Sequence, residues 1–249
     1  MTPRLAMSRW VGGFSGRTVG TGALIVALGL LAFNAGKQGL SNFFAQSAHL
    51  EIERWSSAGQ KFRGDERARV TQYLAKSLQF SPNNPWSLEE MGTLQLRGMG
   101  ALRDPQLAVA AVHSANANLR AALEIRPTSP FTWANFALTK LYLGEQDDML
   151  FRALAHAEEL GPWEPEDQQT VVFVGLAVWT RLNSDQQAAV VRAMERGAQG
   201  KESRESQGKM FEIAKKFNRI DLFCALDYSA SQRREDCSSI SKSGKKPNR

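Results

Sequence analysis

One helix-closing phrase occurs three times in the chain, as SLQFSPNN (77–84), ALEIRPTS (122–129) and AEELGPWE (157–164). Each is a run of helix formers that closes on a proline, which has no amide hydrogen to donate and whose ring clashes with the preceding turn. Pro82, Pro127 and Pro162 therefore mark helix ends within one central stretch, from about Val70 to Pro162. Apolar residues return every three or four positions, glycine and proline fall between the periodic segments, and strand signals are absent. The expected fold is all-α, with helices over 65–80, 85–98, 104–125, 130–143, 148–160, 165–181, 184–197 and 203–217. Asp104 before Pro105, Ser129 before Pro130 and Ser184 before Asp185 read as N-terminal signals.

The first two phrases resemble the end of a tetratricopeptide repeat, a helix–turn–helix unit of about 34 residues. Counting on from Pro127, Trp133 falls where that repeat has its tryptophan, and Phe136 and Ala137 fall at its Leu-Gly pair. Counting on from Pro82, Leu88 replaces the tryptophan and Met91 and Gly92 occupy the pair. Pro82 to Pro127 is 45 residues and Pro127 to Pro162 is 35, so the longer interval reads as a repeat with extra residues, LRGMGALRDPQ and its neighbours, between its two helices. The stripe Trp133, Phe136, Leu138, Leu141 and Tyr142 has helical spacing and reads as core, with Trp133 at the packing position of the repeat. The resemblance implies a solenoid of helical hairpins whose concave groove, lined by the first helix of each unit, takes a partner. By register the groove positions are Trp86, Glu89, Glu90, Thr93, Leu96 and Arg97, then Phe131, Ala134, Asn135, Leu138, Leu141 and Tyr142. The set lacks the Lys, Arg and Asn cluster with which some of these domains clamp a carboxylate, and suits a basic or extended polar segment, or a sugar stacked on Trp86 or Phe131.

Ahead of the repeats, residues 18–36 carry no charge, and Arg17 and Lys37 bracket them. Nineteen residues at ~1.5 Å each match a hydrocarbon core of ~30 Å, and a helix is how a single segment satisfies its backbone in lipid. Arg4, Arg9 and Arg17 precede the stretch with no acid among them, which keeps the N-terminus cytoplasmic and sends the rest across. A cleaved signal peptide is the alternative, but a cut after Ala35 or Ala45 would put Phe33 or Phe43 where a small residue belongs. The expected layout is a cytoplasmic N-terminus (1–17), a transmembrane anchor (18–37), a connecting helix (38–64), a helical domain (65–228) and a polar, largely disordered tail (229–249).

The formal charge of +6 is confined to the ends: residues 1–40 hold four basic and no acidic residues, and 233–249 hold six basic and two acidic. The body between them has more acids than bases, so it lacks the basic face that phosphate binding requires, and nucleic acid is excluded as a partner. His49, His113 and His156 lie far apart in no ligand spacing, and no GxSxG, GxxxxGK[ST] or GxGxxG motif occurs. The glycine-rich VGGFSGRTVGTG follows no strand and leads into the apolar stretch, so it is no phosphate loop. No catalytic residue, metal site or cofactor is expected. Cys224 and Cys237 are the only cysteines; the charge bias puts both in an oxidising compartment, where they are expected to pair.

The layout of basic N-terminus, anchor, helical repeats and Cys-containing tail, with phrases such as NNPWSLEEMG and IRPTSPFTWANFAL, resembles the VpsP-like proteins of bacterial exopolysaccharide biosynthesis clusters. That resemblance implies a non-catalytic accessory protein of polysaccharide synthesis or export, anchored in the inner membrane with its main domain periplasmic and acting through protein contacts. A general envelope assembly factor and a polysaccharide-modifying enzyme are the other classes the sequence leaves open.

Overall fold

The first helix of the computed structural model, α1 (Gly16–Ser57), is 42 residues long and runs unbroken from the apolar stretch into the folded body. The structure describes residues 16–57, 64–198, 203–226 and Cys237, so the expectations for the basic N-terminus and most of the polar tail lie outside the described residues. α1 is the one described helix long and apolar enough to cross a membrane. Its large apolar side chains from Leu24 to Phe33 are each more than half exposed, as a lipid-facing surface requires. Anchor and connecting helix are thus a single element. The body begins at Ser41, the first fully buried residue of α1, followed by Ala45, Ala48 and Trp55 at helical spacing.

The other helices are α2 (Gly64–Phe80), α3 (Pro85–Met99), α4 (Pro105–Ile125), α5 (Pro130–Tyr142), α6 (Asp148–Leu160), α7 (Pro165–Ala177), α8 (Ser184–Ala198), α9 (Ser203–Lys216) and α10 (Ile220–Ala225). The described residues are all-helical, with no strand among them. The expected 165–181 helix ends at Ala177, and a 3-10 turn, Trp179–Arg181, follows. Proline punctuation sets the frame. Pro82, Pro127 and Pro162 end α2, α4 and α6, and three residues later Pro85, Pro130 and Pro165 occupy first helical positions, where no amide donor is needed. Asn84, Asp104, Ser129 and Asp147 cap their helices with side-chain oxygens, satisfying amides that the first turn leaves open. Glu164, before α7, makes no such bond.

Helices pair as hairpins in sequence, α1 with α2, α3 with α4, α5 with α6 and α7 with α8, and successive pairs stack. α9 closes the stack against α7 and α8, with α10 on α9. The extra length of the first repeat lies in its helices rather than between them. α4 has 21 residues against 13 in α6, α3 has 15 against 13 in α5, and both hairpins turn through loops of equal length. The surplus turns of α4 carry exposed Leu107 and Val109 and bury nothing until Val112.

The main core runs from Leu96 on α3 to Phe223 on α10, and a smaller one joins Ala48 and Trp55 of α1 to Val70, Leu74, Met91 and Leu94. A chain of buried hydroxyls stitches the smaller core to the anchor helix: Ser41 Oγ lies 3.0 Å from Ser77 Oγ, which lies 2.7 Å from Ser87 Oγ. Asn84 donates to Ser41 at 3.2 Å. Farther on, Glu158 of α6 receives Arg192 at 3.2 Å and Arg196 at 2.6 Å from α8. Trp133 is half-buried rather than enclosed, its indole N–H donating to the Pro127 carbonyl at 2.7 Å and its ring 4.7 Å from that of His156. Cys224 of α10 is bridged to Cys237, closing a sequence separation of 13 residues.

Gly92 shows why the repeat wants a minimal residue there. A Cβ at this position would stand 2.7 Å from Leu119 Cγ and 3.1 Å from the Ala115 carbonyl, so α3 and α4 approach as closely as they do only without one. Gly92→Ala is expected to cost about 1–3 kcal/mol in denaturant unfolding, whereas Gly100→Ala, with open space around it, should leave the midpoint nearly unchanged.

Candidate functional site

The positions expected to line a groove divide by unit. On α3, Glu89 points inward with 6% of its surface exposed. Its carboxylate accepts hydrogen bonds from Arg126 Nη2 at 2.7 Å, from Ser129 Oγ at 2.8 Å and from Thr132 Oγ1. Arg126 ends α4 and Ser129 caps α5, so the donors converge on the side of α3 that faces the next unit. Thr93 is also buried, and its hydroxyl bonds the Glu89 carbonyl at 2.9 Å. Glu89 and Thr93 are therefore structural, which corrects their placement in the groove; Leu96 and Ala134 are core as well.

Trp86 and Glu90, near the start of the first unit's face, lie beside α1. Trp86 meets His49 of α1 edge-on, with centroids 5.4 Å apart. Both line a small cleft of about 270 Å³ with Asn42, Gln46 and Asn84. Glu90 is half-buried, and burial followed by the neighbouring Glu89 raises its pKa above the usual carboxylate value. Arg97 is exposed at the far end of α3.

The open groove lies one unit on, between α5, α7 and α9. Its first part is a cleft of about 550 Å³ lined by Pro130, Phe131, Glu164, Pro165, Glu166, Asp167, Gln169, Ser206 and Lys209. A second, of about 390 Å³, is lined by Leu138, Tyr142, Glu166, Gln169, Thr170, Phe173, Lys209 and Ile213. Sharing Glu166, Gln169 and Lys209, the two form one trough with an acidic end at the start of α7 and an apolar end around Phe173. Of the expected groove residues, Phe131 lines the first part and Tyr142 the second, while Asn135 donates to the Phe131 carbonyl at 3.0 Å within α5.

The α7 residues were missed because the register was applied to two units only. Counted from Pro165 as it was from Pro85 and Pro130, the second, fifth, sixth and ninth positions are Glu166, Gln169, Thr170 and Phe173, all of which line the trough. Asp167 breaks that pattern. Its side chain is only 4% exposed, it lines the acidic cleft, and it has no hydrogen-bond or ion-pair partner among the described residues. Burial, then Glu164, Glu166 and Glu89, push its pKa up to about 7. Lys209, across the cleft on α9, lies 2.9 Å from Glu205 of its own helix.

His49 pairs with Glu53 at 3.1 Å and His156 stacks on Trp133, so these two rings serve separate helix contacts. Among the described residues no group of three His, Cys, Asp or Glu side chains is arranged to hold a metal ion. No family model matches the chain, and no curated protein matches it.

Removing the Glu89 carboxylate would leave the buried hydroxyls of Ser129 and Thr132 without their acceptor, while the half-exposed Arg126 keeps water, so Glu89→Ala is expected to cost about 1–3 kcal/mol by thermal or denaturant unfolding. Asp167 should behave in the opposite sense. Its folded pKa, near 7, lies above its ordinary value of 3.8, so the stability it contributes is complete below about pH 4 and is lost as pH rises through 7. Asp167→Asn should therefore be more stable than the parent by about 1–3 kcal/mol at pH 8, allowing for the carboxylate's contact with the open cleft, with the difference vanishing toward pH 4. Melting curves across that range would show it.

Proposed function

We propose that this chain is a membrane-anchored, non-catalytic scaffold that holds a protein partner outside the cytoplasm, within bacterial exopolysaccharide synthesis or export. The trough across α5, α7 and α9 carries the reading. It is long and open, acidic at one end and apolar at the other, as a surface for an extended chain segment is. Stacked hairpins offer such a surface on rigid elements, since α5, α7 and α9 are each packed against several other helices.

Two features support the compartment. α1 carries the apolar length of a single span with basic residues before it, and the Cys224–Cys237 bridge belongs to an oxidising environment. The polysaccharide setting rests on the resemblance of layout and phrases to the VpsP-like proteins.

Alkaline phosphatase fused after Ser57 should be active and a fusion before Thr18 inactive; the reverse pattern would overturn the orientation. In the parent bacterium, a photo-crosslinking residue at Thr170 should capture an envelope protein of the polysaccharide machinery, and deletion of the chain should lower exopolysaccharide yield. Normal yield on deletion, or capture of secretion or division proteins alone, would remove the polysaccharide assignment.

A further inference from the structure

The acidic end of the trough is incomplete as a piece of protein interior. A buried carboxylate is ordinarily matched by donors, as Glu89 is by Arg126, Ser129 and Thr132. Asp167, with as little surface exposed, has no hydrogen-bond or ion-pair partner among the described residues and opens on the cleft, and the acids beside it in sequence, Glu164 and Glu166, have its own sign. Glu89 of α3 adds to the same field. Among the described residues, Lys209 is the one basic residue lining the cleft, against three acids.

We propose that this acidic end receives one cationic side chain, a lysine or arginine, from an extended partner segment whose apolar residue lies against Leu138, Phe173 and Ile213. The inference rests on the scaffold reading and adds the chemistry of what is held. An incoming ammonium or guanidinium supplies the missing donors to Asp167 and offsets Glu164 and Glu166. The trough also sets the spacing. Asp167 and Phe173 are six residues apart on α7, roughly 9 Å along its axis, a distance that an extended chain covers in about three residues. The partner's cation and its apolar anchor are therefore about three residues apart.

The test uses the full-length chain in detergent and fluorescein-labelled peptides in a Gly-Ser background, each with one lysine and one phenylalanine separated by one to eight residues. Binding should peak at a separation of two to four and weaken about tenfold when the lysine is replaced by alanine, the effect of one partly buried ion pair. Asp167→Asn, expected to fold more stably than the parent, should abolish the lysine preference while leaving the alanine peptides bound as before. Phe173→Ala should weaken both series alike. Lysine peptides that bind no better than alanine peptides, or a lysine preference that survives in both Asp167→Asn and Glu166→Gln, would overturn the inference. Should crosslinking at Thr170 capture a partner while no lysine preference exists, the scaffold reading stands and this one falls. A lysine preference without a captured partner has the reverse meaning.

Discussion

The carboxylate of Glu89 is the interaction on which the register of the repeats depends. It sits on the first helix of one hairpin, and its Oε2 accepts from the residue that ends that hairpin, Arg126, and from the cap and first turn of the next, Ser129 and Thr132. These bonds thus tie α3 to the turn between α4 and α5, where one hairpin passes to the next. Such a charge is costly to bury, and its donors must be placed together for the cost to be offset. Apolar packing alone would tolerate a sliding of one hairpin on the next; a carboxylate with three directional partners does not.

Asp167 stands in instructive contrast. The same degree of burial, without a side-chain partner among the described residues, raises its pKa and weakens the folded chain at neutral pH, even though a carboxylate in the first turn of α7 suits the helix dipole. Residues that weaken a fold while facing a cleft are where binding or chemistry is commonly found, because a ligand completes what the interior lacks. The exposed Trp163, beside Glu164 in the turn before α7, adds a large aromatic surface at the same end of the molecule.

Much of the architecture was legible because proline acts locally. Pro82, Pro127 and Pro162 stop helices without reference to the rest of the fold, so those ends could be read residue by residue. Less accessible was anything set by approach in three dimensions. Glu89 looks like a surface acid until Arg126, Ser129 and Thr132 are brought to it, and Thr93 looks like a groove residue until its hydroxyl is seen turned onto its own helix. The surplus length of the first repeat was assigned to the link between helices, because the opening turns of α4 bury nothing and so leave no packing signal in the sequence. Half of the trough was within reach of the same counting that found Phe131 and Tyr142; its α9 wall, which belongs to no recognisable unit, was not.

The unbroken course of α1 has a mechanical consequence. Ser41, its first body contact, comes four residues after Lys37, roughly 6 Å along the axis. With the apolar stretch in a bilayer, the hairpins therefore rest close against the headgroup layer, on a stiff shaft rather than a tether. Each residue added to that shaft would rotate the whole stack by about 100° and raise it by about 1.5 Å. The bearing of the trough relative to the apolar stretch of α1 is thus written into the number of residues between Lys37 and Ser41.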